Sequence, residues 1–285
     1  DTATYSSQHG INMGYGKPDR RHPLLYRASL DTMICLDQPY HMPLRREHMP
    51  YFTPKYIAGL RQRVDAKVTA LLDEMARIGP GLDMVEHFSA ELPLFTLCEM
   101  LGVEEADRPK LVRWMHYLEV ASHTLQTQSE GGEIDYAFFG AFIQNVLEMF
   151  EFGQAVLKDR RANPRDDLLS AIANARIDGE LLPDEYLDGS WLLIVFAGND
   201  TTRNSLSGTM KLLPEFADQK ARLIADPSLL PNMVHEAIRM VSPVIYMRRT
   251  ALKDGQIGAQ KIAAGEKVIM YYGAANRDPD VFSNP

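Results

Sequence analysis

Apolar residues recur every three or four positions over much of the chain, the spacing that places them on one face of a helix. In the clearest run, residues 55–78, the apolar positions step by three and four until Gly79-Pro80-Gly81 provides a stop. Similar patterns predict helices over Glu91–Leu101, Asp107–Val120 and Tyr136–Asp159, and from Asp166-Asp167 through Ala175. The hydrophobic pattern therefore predicts a mainly helical protein.

Shorter signals predict minor β structure and one long loop. The Asp-Gly pairs at 178–179 and 254–255 are typical of tight hairpins, and the stretch after Gly265 is typical of a strand over Lys267–Tyr272. The polar segment Gln126–Asp135 contains two adjacent glycines, which predict a mobile loop between two helices.

One segment conflicts with the structure that its own pattern predicts. Between Pro183 and Pro214 lies a single helical pattern, which would make a helix about 45 Å long. In its middle the apolar run 191–197 is followed by five poor helix formers, Gly198–Thr202, which cost the helix roughly 3 kcal/mol. Such a local conflict is expected at a functional site. Asp and Thr side chains can also bond nearby carbonyls and open a groove, while the alternative is a helix end or a solvated kink.

Two further clusters place charged side chains at helical spacing. Glu236 and Arg239 are three residues apart and can pair on one helix face. His235-Glu236 does not complete a zinc-protease motif, because Arg239 stands where the second histidine is required. His41 and Arg45 are four residues apart and can present two donors to a carboxylate, or form an ordinary surface pair.

Composition narrows the class of protein. The 285 residues are 45% hydrophobic and carry a net charge of −8, which argues for a globular protein and against nucleic-acid binding. The longest apolar run is far below the ~20 residues of a membrane span. Without a linker or repeat, one domain over residues 1–285 is expected. The two cysteines cannot build a disulfide framework, and no leader is evident, so a reducing cytoplasm is expected.

The order and spacing of five motifs resemble the cytochrome P450 family of haem-thiolate monooxygenases in its bacterial form. The motifs are Ala197-Gly198-Asn199-Asp200-Thr201-Thr202, Glu236-x-x-Arg239, His41-x-x-x-Arg45, Arg249 in Arg-Thr-Ala, and Asn276-Arg277-Asp278-Pro279. The resemblance implies a mainly α cytochrome P450 fold, with a long central helix, a multi-helix bundle and small β hairpins or sheets.

The resemblance also implies a role for each matched residue. Asp200 would relay protons and Thr201 would hydrogen-bond oxygen at the haem. His41, Arg45 and Arg249 would hold the haem propionates, with Ala197 and Gly198 beside the cofactor. The Glu236–Arg239 pair would be structural, and the loop at 126–135 would be a lid. The expected walls of the substrate cavity are Leu193, Phe196, Val244 and Ile245.

The implied reaction is hydroxylation of a hydrophobic small molecule such as a sterol side chain, terpene, fatty acid or alkane. It would use haem b, O2 and electrons passed from NAD(P)H through a ferredoxin reductase and a ferredoxin, and the enzyme would work as a monomer. The axial cysteine loop is expected beyond Pro285, since neither Cys35 nor Cys98 matches it. We therefore expect a fragment truncated at both ends, with no iron ligand in this chain.

Two other functions remain open on the sequence. A non-catalytic helical protein that binds apolar ligands would use the same cavity but has no need of Asp200-Thr201 in mid-helix. A metal-dependent hydrolase could draw on eight histidines, although none shows a convincing ligand spacing.

Overall fold

The computed structural model describes residues 2–11, 28, 31–129, 136–283 and 285, and for 119 and 121–129 it describes the backbone only. The α-helices are α1 (His41–His48), α2 (Pro54–Ile78), α3 (Glu91–Leu101), α4 (Arg108–Ser129), α5 (Tyr136–Ala162), α6 (Leu168–Ala173), α7 (Asp184–Glu215), α8 (Ala217–Ala225), α9 (Leu230–Val241) and α10 (Tyr272–Ala275). The strands are β1 (Tyr5–Ser6), β2 (Arg176–Ile177), β3 (Glu180–Leu181), β4 (Tyr246–Ala251), β5 (Gly255–Ile257), β6 (Gln260–Ile262) and β7 (Lys267–Tyr271). The predicted mainly helical class is confirmed.

Most predicted helices are confirmed, and their ends have visible causes. Helix α3 stops before Gly102, which adopts a φ of 64° that only glycine takes readily. Helix α6 begins after Asp167, whose carboxylate accepts a hydrogen bond from the backbone N–H of Ser170 at 2.7 Å. The central helix is confirmed as α7, which continues one residue past Pro214.

Two predictions of local structure are wrong. Helix α4 continues through Ser129, so residues 126–129 of the expected lid loop are helical, because no glycine or proline interrupts the helix before Gly131. The rest of that loop, 130–135, lies outside the described residues. Asp254-Gly255 is not a hairpin turn, since β5 starts at Gly255 and pairs with β6 around Gly258, whose φ is 57°. Asp254 instead accepts the backbone N–H of Ala264.

Contacts along the backbone divide the chain into two compact units. The core unit comprises Gly16–Asp65 and Leu94–Gly198, and the sheet unit comprises Asp1–Tyr15, Ala66–Pro93 and Asn199–Pro285. A single domain over residues 1–285 stays a prediction.

The core unit buries a continuous apolar cluster. Its largest members include Trp114, Phe150 and Trp191, each at most 1% exposed. The indole N–H of Trp191 donates to the carbonyl of Met149 at 3.0 Å, so its polar atom is satisfied. Strands β2 and β3 form the hairpin predicted at 178–179, where both turn residues have positive φ. Helices α5, α6 and the first half of α7 are thereby fixed around one core.

The sheet unit is built on a three-stranded antiparallel sheet in the order β1-β4-β7. Strand β4 pairs with β7 from Tyr246 opposite Tyr271 to Thr250 opposite Lys267, and β1 adds to its other edge. Helices α8, α9 and α10 belong to the same unit, with no buried residue in any of the three.

Candidate functional site

The middle of α7 stays helical through its five poor helix formers. Asp200 is held by its own helix, because its Oδ1 accepts from Arg203 at 3.0 Å and from Asn204 at 3.1 Å. The hydroxyl of Ser205 bonds the carbonyl of Thr201 one turn back, and the hydroxyl of Thr209 bonds the carbonyl of Ser205. The predicted competition for backbone carbonyls is therefore present at these two positions, without breaking the helix.

Just before this point α7 presents apolar surface. Phe196 is 37% exposed, Leu193 and Ala197 are half-buried, and Gly198 is exposed. Gly198 also packs against Leu97 of α3, since a Cβ added at position 198 would lie 3.0 Å from Leu97 Cδ1. Two of the expected wall residues, Leu193 and Phe196, thus lie on an accessible face of α7.

Helix α1 carries two of the expected propionate ligands. His41 is half-buried in its first turn, and Arg45, one turn later on the same face, is exposed. Among the described residues neither side chain pairs with a carboxylate. Within the described ranges, a cation without a carboxylate partner can bind an external anion.

The third expected propionate ligand lies on β4. Arg249 is half-buried, and its guanidinium donates to the main-chain carbonyl of Arg248 at 2.8 Å. Arg248 is fully buried and donates to the carbonyls of His9 and Gly10. The strand alternation therefore separates Arg248, whose hydrogen bonds are structural, from Arg249, which has no carboxylate partner among the described residues.

The Glu236–Arg239 pair predicted on one helix face is present in α9. Arg239 Nε lies 2.7 Å from Glu236 Oε2 and Arg239 Nη2 lies 2.6 Å from Oε1, a bidentate arrangement. The bonds from Arg239 lower the pKa of Glu236 below its ordinary value. After this helix, Val244 is half-buried and Ile245 is 55% exposed.

The predicted site residues are distributed over both units. His41, Arg45, Leu193, Phe196, Ala197 and Gly198 belong to the core unit, and Asp200, Thr201, Glu236, Arg239, Val244, Ile245 and Arg249 belong to the sheet unit. Within these units the structure brings together His41 with Arg45, and Glu236 with Arg239.

Both cysteines are buried. Burial raises the pKa of the Cys98 thiol to about 11, which disfavours the thiolate that metals bind. Within the described ranges, no group of three or more His, Cys, Asp or Glu side chains is arranged to hold a metal ion. No helix in the same part of the chain is long and apolar enough to cross a membrane.

Each unit also has an open cavity. The groove of the sheet unit, about 700 Å³, is mainly apolar, and its lining includes Leu213 of α7, Met233 of α9 and Phe216, which lies between α7 and α8. The cleft of the core unit, about 740 Å³, is more polar, and its lining includes Arg63 and Arg108, which both pair with Glu99.

Sequence reasoning missed several residues around Arg239. Its Nη1 donates to the carbonyl of Asn276 at 2.6 Å, and its Cζ lies 4.5 Å from the ring centre of Phe282. Ser242, which ends α9, bonds both Arg239 and Asn276. The Asn276-Arg277-Asp278-Pro279 motif was a signal that could have pointed to these residues, but the sequence does not show which helix the motif contacts.

Comparison with known proteins identifies the class. A model of the cytochrome P450 family matches residues 217–285. The steroid C26-monooxygenase of Mycobacterium tuberculosis is 33% identical over 276 residues, which cover 96% of this chain and 69% of that protein. The chain therefore belongs to the cytochrome P450 family.

This chain spans a smaller share of two other relatives and of one solved structure. The linalool 8-monooxygenase of Pseudomonas putida is 37% identical over 88% of this chain, and the methyl-branched lipid omega-hydroxylase of M. tuberculosis is 34% identical over 89%. The chain spans 59% and 58% of their lengths. A cytochrome P450 of Mycobacterium marinum, solved in complex with pseudoionone, superposes with a TM-score of 0.85 at 34% identity, covering 99% of this chain and 65% of that one. The predicted P450 fold is confirmed.

The residues present fit a haem. A haem is an apolar plate with two carboxylates, and it needs cations without internal partners together with open apolar surface. Arg45 and Arg249 have no carboxylate partner among the described residues, and Phe196 and Gly198 leave α7 accessible. Neither Cys35 nor Cys98 lies in the expected axial loop, and burial raises the pKa of the Cys98 thiol, so neither is assigned as the axial ligand.

Proposed function

We propose that the full-length protein is a haem-dependent monooxygenase that hydroxylates a hydrophobic small molecule. The observation that carries this proposal is the unbroken α7, in which an accessible apolar face at Leu193 and Phe196 leads directly into Asp200 and Thr201. An apolar wall beside a carboxylate and a hydroxyl suits an enzyme that binds a hydrophobic substrate and whose reaction consumes protons.

His41, Arg45 and Arg249 would hold haem b through its propionates, and Ala197 and Gly198 would lie beside it. Charge-assisted hydrogen bonds from the arginines to the propionates are stronger than hydrogen bonds between neutral groups, and they can be bidentate. When bound, the haem would supply the redox chemistry that activates O2. An axial cysteine would come from outside these 285 residues.

The chain's own groups would control protons and water. Arg203 and Asn204 hold the Asp200 carboxylate in place, so that it can take a proton from solvent and pass it on. Thr201 follows Asp200 in the same turn and would hold that proton with its hydroxyl. Leu193, Phe196, Val244 and Ile245 would exclude bulk water and bind the substrate.

Three of the relatives support a substrate class. They are named for a methyl-branched lipid, for linalool and for a steroid, which share a long or branched hydrocarbon skeleton. We propose a substrate of this kind, with electrons from NAD(P)H through a ferredoxin reductase and a ferredoxin. The two buried free cysteines are compatible with a reducing cytoplasm, where we propose that the protein works as a monomer.

The test replaces Thr201 by Ala in the full-length protein. We expect product formation to fall by at least about 100-fold, a typical contribution of a positioned proton donor, while binding of haem and of apolar ligands is kept. Thr209→Ala is the matched control, because Thr209 lies on the same helix and bonds a main-chain carbonyl two turns later. If Thr201→Ala retains full product formation, the proton-delivery role is wrong. If the unaltered protein binds apolar ligands without forming product, the binding-protein function replaces the proposal.

A further inference from the structure

Ser242 closes α9 in a backbone conformation that serine seldom adopts. Its φ and ψ are 47° and 61°, in the left-handed region, and its side chain is almost fully buried. Glycine is the usual residue at such a helix end, because it takes a positive φ without strain. A serine kept in this conformation points to a use for its hydroxyl.

That hydroxyl connects two separate segments of the sheet unit. Ser242 Oγ donates to the carbonyl of Arg239 at 2.8 Å and accepts from Asn276 Nδ2 at 2.9 Å. Since its single proton is used on Arg239, the hydroxyl can serve its second partner only as an acceptor. The partner must therefore be a donor, which an asparagine amide is and an aspartate is not.

Asn276 reaches Arg239 by a second path. Its main-chain carbonyl accepts from Arg239 Nη1 at 2.6 Å. The other two guanidinium nitrogens bond Glu236, and Phe282 lies against the group's face. The Arg239 side chain is only 11% exposed, whereas that of Glu236 is 59% exposed. Asn276 therefore supplies the buried restraint on Arg239, and Ser242 fixes Asn276.

We propose that Ser242 and Asn276 are positioning residues for Arg239, forming a hydroxyl–amide latch that fixes the orientation of its guanidinium toward Glu236. The inference rests on the proposed function only for what the Glu236–Arg239 pair is used for. The test of the latch requires neither haem nor substrate. A failure of monooxygenase activity would therefore leave the test of the latch unaffected.

Ser242→Gly separates positioning from stability. Glycine removes the hydroxyl and its two hydrogen bonds but relieves the left-handed conformation, so the two effects oppose each other and we expect only a small shift of the unfolding midpoint. NMR of the Arg239 side chain provides the direct measurement, through hydrogen exchange at its Nε–H and the separation of its Nη signals. With the latch lost, we expect exchange to accelerate by about 10-fold, the effect of one hydrogen bond to a charged network, and the Nη signals to merge.

Asn276→Ala should reproduce the change at Arg239, because it removes the amide that donates to Ser242 Oγ and leaves the main-chain carbonyl in place. Ser228→Ala is the matched control, since Ser228 Oγ bonds Asp226 at 2.6 Å just before α9 and lies outside the latch. Unchanged Arg239 signals in Ser242→Gly and Asn276→Ala would overturn the proposal. The same change of the Arg239 signals in Ser228→Ala would also overturn it, because that result indicates general loosening.

Discussion

Helices α5 and α9 present their apolar side chains in opposite ways. In the core unit, Met149, Phe150 and Leu157 of α5 are at most 1% exposed. In the sheet unit, none of the twelve described residues of α9 is buried, and Leu230, Val234 and Ile238 are 44–50% exposed. Both helices have apolar residues at helical spacing, so the spacing alone does not determine burial. The core unit is held mainly by packing, whereas α9 buries no side chain and makes the polar contacts of Arg239, Ser242 and Asn276.

The sharpest test of this difference is to remove one acidic partner from an ion pair in each unit. In the core unit Arg160 and Asp167 pair at 2.8 Å with side chains 5% and 8% exposed. Asp167→Ala leaves a buried charge and removes the cap of α6, so we expect a loss of about 3–5 kcal/mol in the free energy of unfolding.

The control is Glu74→Ala in the sheet unit, where Glu74 and Arg77 form an exposed pair. Exposed pairs contribute little, so urea unfolding should detect no change. Equal losses in the two variants would show that burial is not what separates the units.

A second substitution tests whether the sheet unit also contains tight packing. A Cβ on Gly208 of α7 would lie 2.6 Å from Val241 Cγ2 at the end of α9. We expect Gly208→Ala to destabilise by up to about 3 kcal/mol, the usual limit for overpacking.

Gly140→Ala on α5 is its counterpart, because nothing lies within 4 Å of the added methyl. A helix-interior glycine with free space should gain up to about 1 kcal/mol on this change. If Gly208→Ala were equally stabilising in thermal unfolding, α7 and α9 would not be in close contact.

The third prediction concerns pH. Burial lowers the pKa of His48 in α1 from 6.5 to about 4. The folded protein therefore binds fewer protons than the unfolded chain between these values, and stability is lost as the pH falls from 6.5 toward 4. We expect about 2 kcal/mol less stability at pH 5 than at pH 7 from this group.

Urea unfolding of His48→Gln at both pH values measures that contribution. The variant should lose this part of the pH dependence, whereas His235→Gln, at an exposed position of α9, should keep it. An unaltered pH dependence in His48→Gln would contradict the assignment.

Local regularity made much of the fold predictable from the sequence. Glycines at 79 and 102 and the cap at Asp167 mark helix ends through backbone conformation and hydrogen bonding that depend on neighbouring residues alone. The hairpin prediction at Asp254-Gly255 was wrong because the Asp254 carboxylate accepts a hydrogen bond from the backbone N–H of Ala264, ten residues further on.

The candidate site was predictable only in part. The Glu236–Arg239 contact follows from helical spacing, but the carbonyl of Asn276 lies 37 residues from Arg239 in sequence. Likewise, the Arg-Thr-Ala motif singles out Arg249, but the hydrophobic pattern does not show that Arg248 is the buried one, because burial depends on which face of β4 is covered. Roles given to Asp200, Thr201, His41, Arg45 and Arg249 stay predictions.

The most direct test of the central claim is isotopic. The full-length protein is supplied with haem, NAD(P)H, ferredoxin, ferredoxin reductase, a branched hydrocarbon substrate and ¹⁸O-labelled dioxygen. The mass of the product is then measured by mass spectrometry. A monooxygenase places one labelled oxygen atom in each hydroxylated product and sends the other to water. If the substrate binds but is recovered without label, the chain's fold serves binding alone and the proposed activity is wrong.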